Sequence, residues 1–199
     1  MSAHAARSGQ TEPNLWRWLV VLVAAAAGLM FTVALVEQKL ALAVDPDGKL
    51  LWDISSRASC STVLQAWQSS VFGLPNGVLG VALFAIFASA ALGGALGGRP
   101  SSSYLLAMWG LALVFAVFAT WFAFQSAFVI GSWCLWCSGI VTVVLTICAA
   151  LTRIATSARA WGDTHMGAAI SRAVGARFDI AVWVGWWLAI AGMLALGLG

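Results

Sequence analysis

Two cysteines, Cys134 and Cys137, form a C-x-x-C motif that is accompanied by Trp133 and Trp136. Residues three apart lie about one turn apart on a helix, so the two sulfurs are close enough to form a disulfide or to bind one metal together. An apolar run at 140–151 follows at once, which predicts that the motif begins a helix. The helix dipole favours a thiolate at that end, so we expect a lowered cysteine pKa and a reactive sulfur.

Three cofactor-binding interpretations of the motif fail on its surroundings, and no metal is expected. A c-type haem needs a histidine directly after the motif, where this chain has Ser138. A structural zinc ion needs four ligands, and the two histidines, His4 and His165, fall on the opposite side of the membrane in the topology given below. An iron–sulfur cluster would need all four cysteines, but Cys148 lies roughly 16 Å along the same helix from Cys137. Thiol–disulfide redox chemistry remains, beside the alternative of a static disulfide or two buried thiols.

The composition indicates a polytopic membrane protein. The 199 residues are 62% hydrophobic and 9% charged, and the mean hydropathy is +0.94. Apolar stretches of membrane-spanning length occupy residues 15–36, 75–94, 104–130, 134–151 and 180–198. These stretches contain almost no charge, so no ion pathway is visible. We predict an all-α integral membrane protein with a four-helix transmembrane bundle and a fifth transmembrane helix.

A polar segment, residues 37–74, separates the first two apolar stretches. The charged residues expected to keep it in water are Lys39, Asp45, Asp47, Lys49, Asp53 and Arg57. The spacing of an amphipathic helix is shared by Cys60, Val63, Leu64, Trp67 and Val71. We predict a helix capped by Ser59 that lies flat on the membrane surface and ends at 73–75. Cys60 begins this helix on its apolar face, either as a redox cysteine or as an inert one.

Two further residues have alternative interpretations. Asn76 follows Pro75 at the start of the second apolar stretch, where an amide is either a helix cap or a ligand contact, and the pattern favours the cap. Cys148 is expected to be a packing residue. The expected organisation is a cytoplasmic tail at 1–14, a four-helix domain at 15–155 with its outer loop at 37–74, a basic cytoplasmic loop at 156–178 and a fifth helix at 179–199.

The distribution of basic residues predicts the orientation of the chain. With the N-terminus in the cytoplasm, the seven basic residues on the inner side are Arg7, Arg17, Arg99, Arg153, Arg159, Arg172 and Arg177. The three on the outer side are Lys39, Lys49 and Arg57. This excess follows the positive-inside rule. Cys60, Asn76, Cys134 and Cys137 then lie on the outer face, which is the oxidising side where disulfides persist.

The ordered combination of these motifs resembles the bacterial branch of the vitamin K epoxide reductase family. The residues that carry the resemblance are C-S-T-V-L at 60–64, V-F-G-L-P-N at 71–76, Gly80, and the C-x-x-C that opens a later span. The similarity extends over roughly residues 15–155. It implies a four-helix bundle in the bacterial cytoplasmic membrane that holds a quinone, menaquinone or ubiquinone, beside the C-x-x-C.

The resemblance also implies roles for individual residues. Cys137 matches the cysteine that passes electrons to the quinone, and Cys134 matches the one that exchanges disulfides. Cys60 matches the second cysteine of the outer loop, and Asn76 matches an asparagine that hydrogen-bonds a quinone oxygen. A thioredoxin-like partner outside the cytoplasm would then be oxidised, and it is expected to act in trans.

Three positions depart from the family pattern. Trp52 stands where the first loop cysteine is expected, Ala66 where a hydroxyl residue is expected, and Val141 where some relatives have a tyrosine. The expected function is quinone-linked thiol oxidation that supports disulfide formation, with membrane lipid and quinone as partners and no nucleic acid. The alternative, favoured by Trp52 and Ala66, is a non-catalytic relative with a structural disulfide that acts as a binding or assembly factor.

Overall fold

The computed structural model describes residues 12–50 and 52–198, and this part of the chain is folded into helices. Its seven α-helices are α1 (Glu12–Val44), α2 (Cys60–Gln65), α3 (Asn76–Ala95), α4 (Ser102–Phe124), α5 (Leu135–Ser157), α6 (His165–Gly175) and α7 (Phe178–Leu198). A 3-10 turn, Trp67–Ser70, follows α2, and a π-helical turn, Gln125–Ile130, continues α4. Five helices are long and apolar enough to cross a membrane, which confirms the predicted all-α membrane fold.

The first helix is longer at both ends than the sequence predicted. It begins at Glu12, inside the predicted tail at 1–14, of which residues 1–11 lie outside the described part of the chain. It continues to Val44 because the run E-Q-K-L-A-L-A-V at 37–44 consists mainly of strong helix formers. Pro46 then disfavours helical backbone at the residue before it. As a result Lys39, which we expected in the outer loop, lies in a membrane-spanning helix.

Close contacts between helices hold the four-helix bundle together. Helix α1 packs against α3 and α5, and α4 packs against α5. A Cβ atom on Gly80 of α3 would lie 2.5 Å from the Thr32 side chain of α1, and one on Gly139 of α5 would lie 2.6 Å from the Phe31 ring. The absence of a side chain at these two glycines therefore lets both helices approach α1 around its middle, near the level of the C-x-x-C motif.

The fifth membrane-spanning helix, α7, packs against α4, α5 and the π-helical turn. Its indole N–H groups donate hydrogen bonds across the interface, from Trp186 to Thr120 at 2.9 Å and from Trp187 to Thr142 at 3.1 Å. A salt bridge of 2.6 Å between Arg153 of α5 and Asp179 fixes the beginning of α7. The polar loop before α7 also contains the amphipathic helix α6, which the sequence analysis did not predict.

The long loop between α1 and α3 differs from the single amphipathic helix that we predicted. Ser59 is the N-cap as expected, but α2 ends at Gln65 because Ala66 is extended, with φ −65° and ψ 145°. This break changes the direction of the chain and leaves Trp67 68% exposed and Val71 36% exposed. The buried face of α2 consists of Cys60, Val63 and Leu64. The prediction of one helix continuing to 73–75 was therefore wrong.

Candidate active site

A short parallel pairing of two backbone segments brings the loop cysteine to the C-x-x-C motif. The Trp133 N–H donates to the Arg57 carbonyl at 2.9 Å, and the Ser59 N–H donates to the Trp133 carbonyl at 3.1 Å. The residue after Ser59 is Cys60, and the residue after Trp133 is Cys134. The pairing thus sets the register in which these two sulfurs meet.

Serine side chains and one left-handed glycine fix the segment that precedes the motif. Gly131 has φ 71° and reverses the chain after the π-helical turn, a conformation that glycine adopts without strain. The Ser132 hydroxyl lies 3.2 Å from the Ser59 N–H and 3.3 Å from the Ser59 carbonyl, so it can both accept and donate. The Ser126 hydroxyl in turn donates to the Ser132 carbonyl. These buried contacts tie the start of α5 to the start of α2.

Three thiols lie in a row with Cys134 in the middle. Cys60 and Cys134 pack in one small hydrophobic cluster, Cys137 packs against that cluster, and the Cys134 thiol interacts with both of the other thiols. Cys134 is the N-cap residue of α5, as the sequence predicted, and all four cysteines of the chain are free thiols. Cys60 is 0% exposed and Cys134 is 1% exposed, whereas Cys137 is partly accessible.

The pKa values of the first two thiols are raised rather than lowered. The hydrogen bond to Cys134 and burial both raise the pKa of Cys60 well above its ordinary value. The hydrogen bond to Cys137 and burial raise the pKa of Cys134, although its bond with Cys60 acts in the opposite direction. The lowered pKa that we expected from the helix dipole is therefore wrong for Cys134, because burial and the shared protons outweigh the dipole.

An apolar cavity lies beside Cys134 and Cys137. Its volume is about 870 Å³, counting the space at its open mouth, and α1, α3, α4, α5 and α7 all contribute to its walls. The larger apolar side chains that line it include Leu35, Phe115, Phe118, Phe122, Ile140 and Leu194. Val141, at the position where some relatives have a tyrosine, also lines the cavity. The two sulfurs of the C-x-x-C motif therefore face a space that suits an apolar ligand.

Asn76 lies at the cavity wall and does not cap its own helix. It is the first residue of α3, Pro75 is the N-cap residue, and no side-chain cap is present there. The Asn76 Nδ2 atom donates to the Gln68 carbonyl at 2.7 Å. Its Oδ1 atom is buried without a hydrogen-bond partner among the described residues. The cap interpretation was therefore wrong, and the ligand contact stays a prediction.

The sequence analysis missed Lys39 as a residue of this site. Lys39 lines the cavity, and its Nζ atom donates to the Leu64 carbonyl and, at 2.8 Å, to the Ser69 hydroxyl. Thr32 and Leu35, which also line the cavity, precede Lys39 by seven and four residues. These spacings place all three on one face of a helix. Extending the helical pattern through residues 37–44 would have placed Lys39 on the helix face of Thr32 and Leu35, but not beside a cavity.

Of the remaining residues singled out in the sequence, Trp52 and Ala66 belong to the loop beside the site and Cys148 lies in the main core. Trp52 packs against Trp136, the tryptophan inside the C-x-x-C motif. Ala66 is the residue at which the loop helix breaks. Cys148 is fully buried in the main hydrophobic core and does not line the cavity, in agreement with its expected packing role.

Comparisons with known proteins agree with this arrangement. The sequence profile of the vitamin K epoxide reductase family matches residues 19–152, which is more than half of the chain. The matched range contains the three contacting cysteines and Asn76, and it ends before α6 and α7. A comparison with curated proteins found no match. The chain therefore belongs to the vitamin K epoxide reductase family of membrane thiol oxidoreductases.

Proposed function

We propose that this protein is a quinone-linked thiol oxidoreductase that supports disulfide formation outside the cytoplasm. The observation that carries the proposal is the position of Cys134, which contacts Cys60 on one side and Cys137 on the other. Cys137 also lines the apolar cavity, so a chain of thiols leads from the loop to the place where an apolar oxidant would bind.

The residues of the cavity fit a quinone head group. The walls are mainly apolar, as the ring requires, and a few polar side chains are placed among them, which is typical of ligand sites. Asn76 offers a second Nδ2 hydrogen to a quinone oxygen and its unpartnered Oδ1 atom to a hydroxyl group. A bound quinone would accept two electrons and two protons from a dithiol.

The protein's own step is a disulfide exchange centred on Cys134. In the oxidised form a Cys134–Cys137 disulfide presents the Cys134 sulfur to Cys60. The Cys60 thiol loses its proton and attacks that sulfur, the bond to Cys137 breaks, and Cys137 leaves as a thiolate at the cavity wall. The product is a Cys60–Cys134 disulfide, which a dithiol partner reduces in turn, so that the partner acquires the disulfide.

Access to this disulfide requires an opening of the loop. Both Cys60 and Cys134 are buried, so a reductant in solution does not reach their sulfurs in the conformation described here. We infer that a thioredoxin-like partner acting in trans engages the loop that carries Cys60 and exposes the disulfide as it binds. The raised pKa values of the two thiols match a resting site that is protected from unspecific oxidation.

Reduction of quinone by the purified protein tests the proposal. With a dithiol as the electron source, the native protein should reduce quinone and Cys137→Ser should not, because the variant lacks the thiolate that is released from the Cys134–Cys137 disulfide at the cavity wall. Cys148→Ser is the matched control, since it removes a buried thiol outside the row, and it should keep the native rate. Absence of quinone reduction by the native protein would support the non-catalytic alternative, in which the cysteines only stabilise the fold. Reduction by Cys137→Ser at the native rate would show that Cys137 does not pass electrons to the quinone.

A further inference from the structure

We propose that Lys39 is a ligand-binding residue of the cavity and gives it a preference for quinone head groups that carry negative charge on an oxygen. This inference rests on the proposed function, because it assigns a specificity to the same cavity. Among the described residues that line the cavity, Lys39 is the only one with a charged side chain.

The ammonium group of Lys39 is held at the cavity wall. Its two acceptors, the Leu64 carbonyl and the Ser69 hydroxyl, belong to residues that line the cavity themselves. An ammonium group has three N–H bonds, and these acceptors use two of them. The third remains for an acceptor that enters the cavity.

Lys39 and Asn76 are held by the same short turn. Lys39 donates to Ser69, and Asn76 donates to the carbonyl of Gln68, the residue before it in the 3-10 turn Trp67–Ser70. Two side chains with spare N–H groups are thus fixed at one wall. A ligand with an oxygen at this wall would meet one charged donor and one neutral donor.

The charge of Lys39 has no carboxylate to balance it in the described part of the chain. Both acceptors are neutral groups, and the salt bridge of the described chain joins Arg153 to Asp179 at the other end of the bundle. Lys39 is partly buried, and withdrawing a cation from water is costly unless an anion or strong acceptors accompany it. Electrostatic attraction is also stronger there than in water. An anionic oxygen on the ligand would supply the missing partner.

A purely structural role for Lys39 makes a different prediction. Leu64 is in the last turn of α2, where a lysine stabilises the free carbonyls of a helix end. If this were its only task, removing the ammonium would disturb the position of Cys60 and weaken every ligand alike. A comparison of ligands that differ in charge therefore distinguishes the ligand-binding role from the structural role.

Binding of two probe ligands tests the inference without relying on turnover. One probe is a hydroxynaphthoquinone that is ionised at neutral pH, and the other is a neutral methylnaphthoquinone. Affinities follow from quenching of tryptophan fluorescence, since Trp133 lines the cavity. Lys39→Met should weaken the ionised probe by about tenfold, or about 1.4 kcal/mol, and leave the neutral probe nearly unchanged. Lys39→Arg should keep the preference, because it keeps the charge.

Lys49→Met is the matched control, because Lys49 is an exposed lysine of the loop that follows α1. It should bind both probes like the native protein. If Lys39→Met lowered the affinities for both probes equally, the inference would be overturned in favour of the structural role. Quinone reduction by the native protein would still uphold the proposed function in that case. If the native protein bound neither probe and reduced no quinone, the proposed function itself would fail and the inference with it.

Discussion

The indole of Trp52 meets the indole of Trp136 edge-on, with ring centroids 5.5 Å apart and planes inclined by 85°. Trp136 lies inside the C-x-x-C motif and packs against the small hydrophobic cluster that contains Cys60 and Cys134. The Phe31 ring of α1 also packs against this indole, with ring centroids 5.7 Å apart. The residue at the position where the resemblance implied a first loop cysteine is therefore an aromatic cover over the motif.

Restoring a cysteine at this position should accelerate exchange with a protein partner. Trp52→Cys would supply a second loop thiol that can resolve a mixed disulfide on Cys60. Trp52→Ser is the control, because both variants lose the aromatic pair, which contributes about 1 kcal/mol, and only one gains a thiol. The measurement is quinone reduction with a reduced thioredoxin-like protein. Equal rates for the two variants would show that a loop cysteine pair has no use in this chain.

The central position of Cys134 predicts which disulfides form in single variants. After mild oxidation, Cys137→Ser should contain a Cys60–Cys134 disulfide and Cys60→Ser a Cys134–Cys137 disulfide, because Cys134 contacts both neighbours. Cys134→Ser should form neither, since it removes the sulfur that both outer thiols contact. Differential alkylation and mass spectrometry identify the products. Efficient formation of a Cys60–Cys137 disulfide in Cys134→Ser would contradict the linear order of the three thiols.

The membrane spans could be predicted because length and apolar composition determine them almost alone. The end of α1 could not, because the polar residues of 37–44 indicate a loop by hydropathy and a helix by propensity. The loop helix was predicted from a spacing of apolar residues that extends beyond Gln65, but the helix ends there because Ala66 is extended. The spacing of apolar residues shows only which side chains would share one face if the helix continued. Where the loop helix ends depends on how the loop packs against α1 and α5.

The site was predictable to the extent that its residues are local in sequence. The C-x-x-C motif and its place at a helix start follow from spacing and from the apolar run behind it. The raised pKa of Cys134 does not, because it depends on burial and on a thiol from another part of the chain. Lys39 escaped for a similar reason, since only the folded bundle shows that the cavity extends to its level.

Asp53 should make the order of the loop depend on pH. Burial raises the pKa of Asp53, but hydrogen bonds outweigh it and hold the pKa below its ordinary value of 3.8. The donors are the backbone N–H groups of Leu50 and Ser61 and the hydroxyls of Ser59 and Ser61. A depressed pKa contributes stability above the ordinary value, and this contribution is lost as the pH falls through the lower value of the folded state.

We therefore expect the loop to loosen in acid below pH 3.8 in the native protein. Asp53→Asn should show the loosened loop already at neutral pH, because it removes the charge at nearly constant volume. Tryptophan fluorescence would follow the change, since Trp52 adjoins Asp53 and packs on Trp136. An acid transition of the same size in Asp53→Asn would assign it to another group.

The predicted orientation can be checked with two introduced cysteines in a Cys137→Ser background, where the remaining native thiols are buried. Asp47 and Ser101 are both exposed and lie in loops at opposite ends of α3. In intact cells Asp47→Cys should react with a membrane-impermeant thiol reagent, and Ser101→Cys should react only after the membrane is opened. The reverse pattern, or equal labelling, would contradict the assignment of the three thiols to the oxidising side of the membrane.

The fifth helix should influence the ligand although it lies outside the range matched by the family profile. Leu194 of α7 lines the cavity, and the tight contact of Gly197 with Ala127, where a Cβ would lie 2.7 Å away, holds this end of α7 against the π-helical turn. Leu194→Trp should therefore fill part of the cavity and weaken quinone binding by about tenfold, or about 1.4 kcal/mol. Leu196→Trp is the control, since Leu196 is 83% exposed and does not line the cavity. Equilibrium dialysis with quinone measures both, and equal affinities would show that α7 does not form a wall of the ligand site.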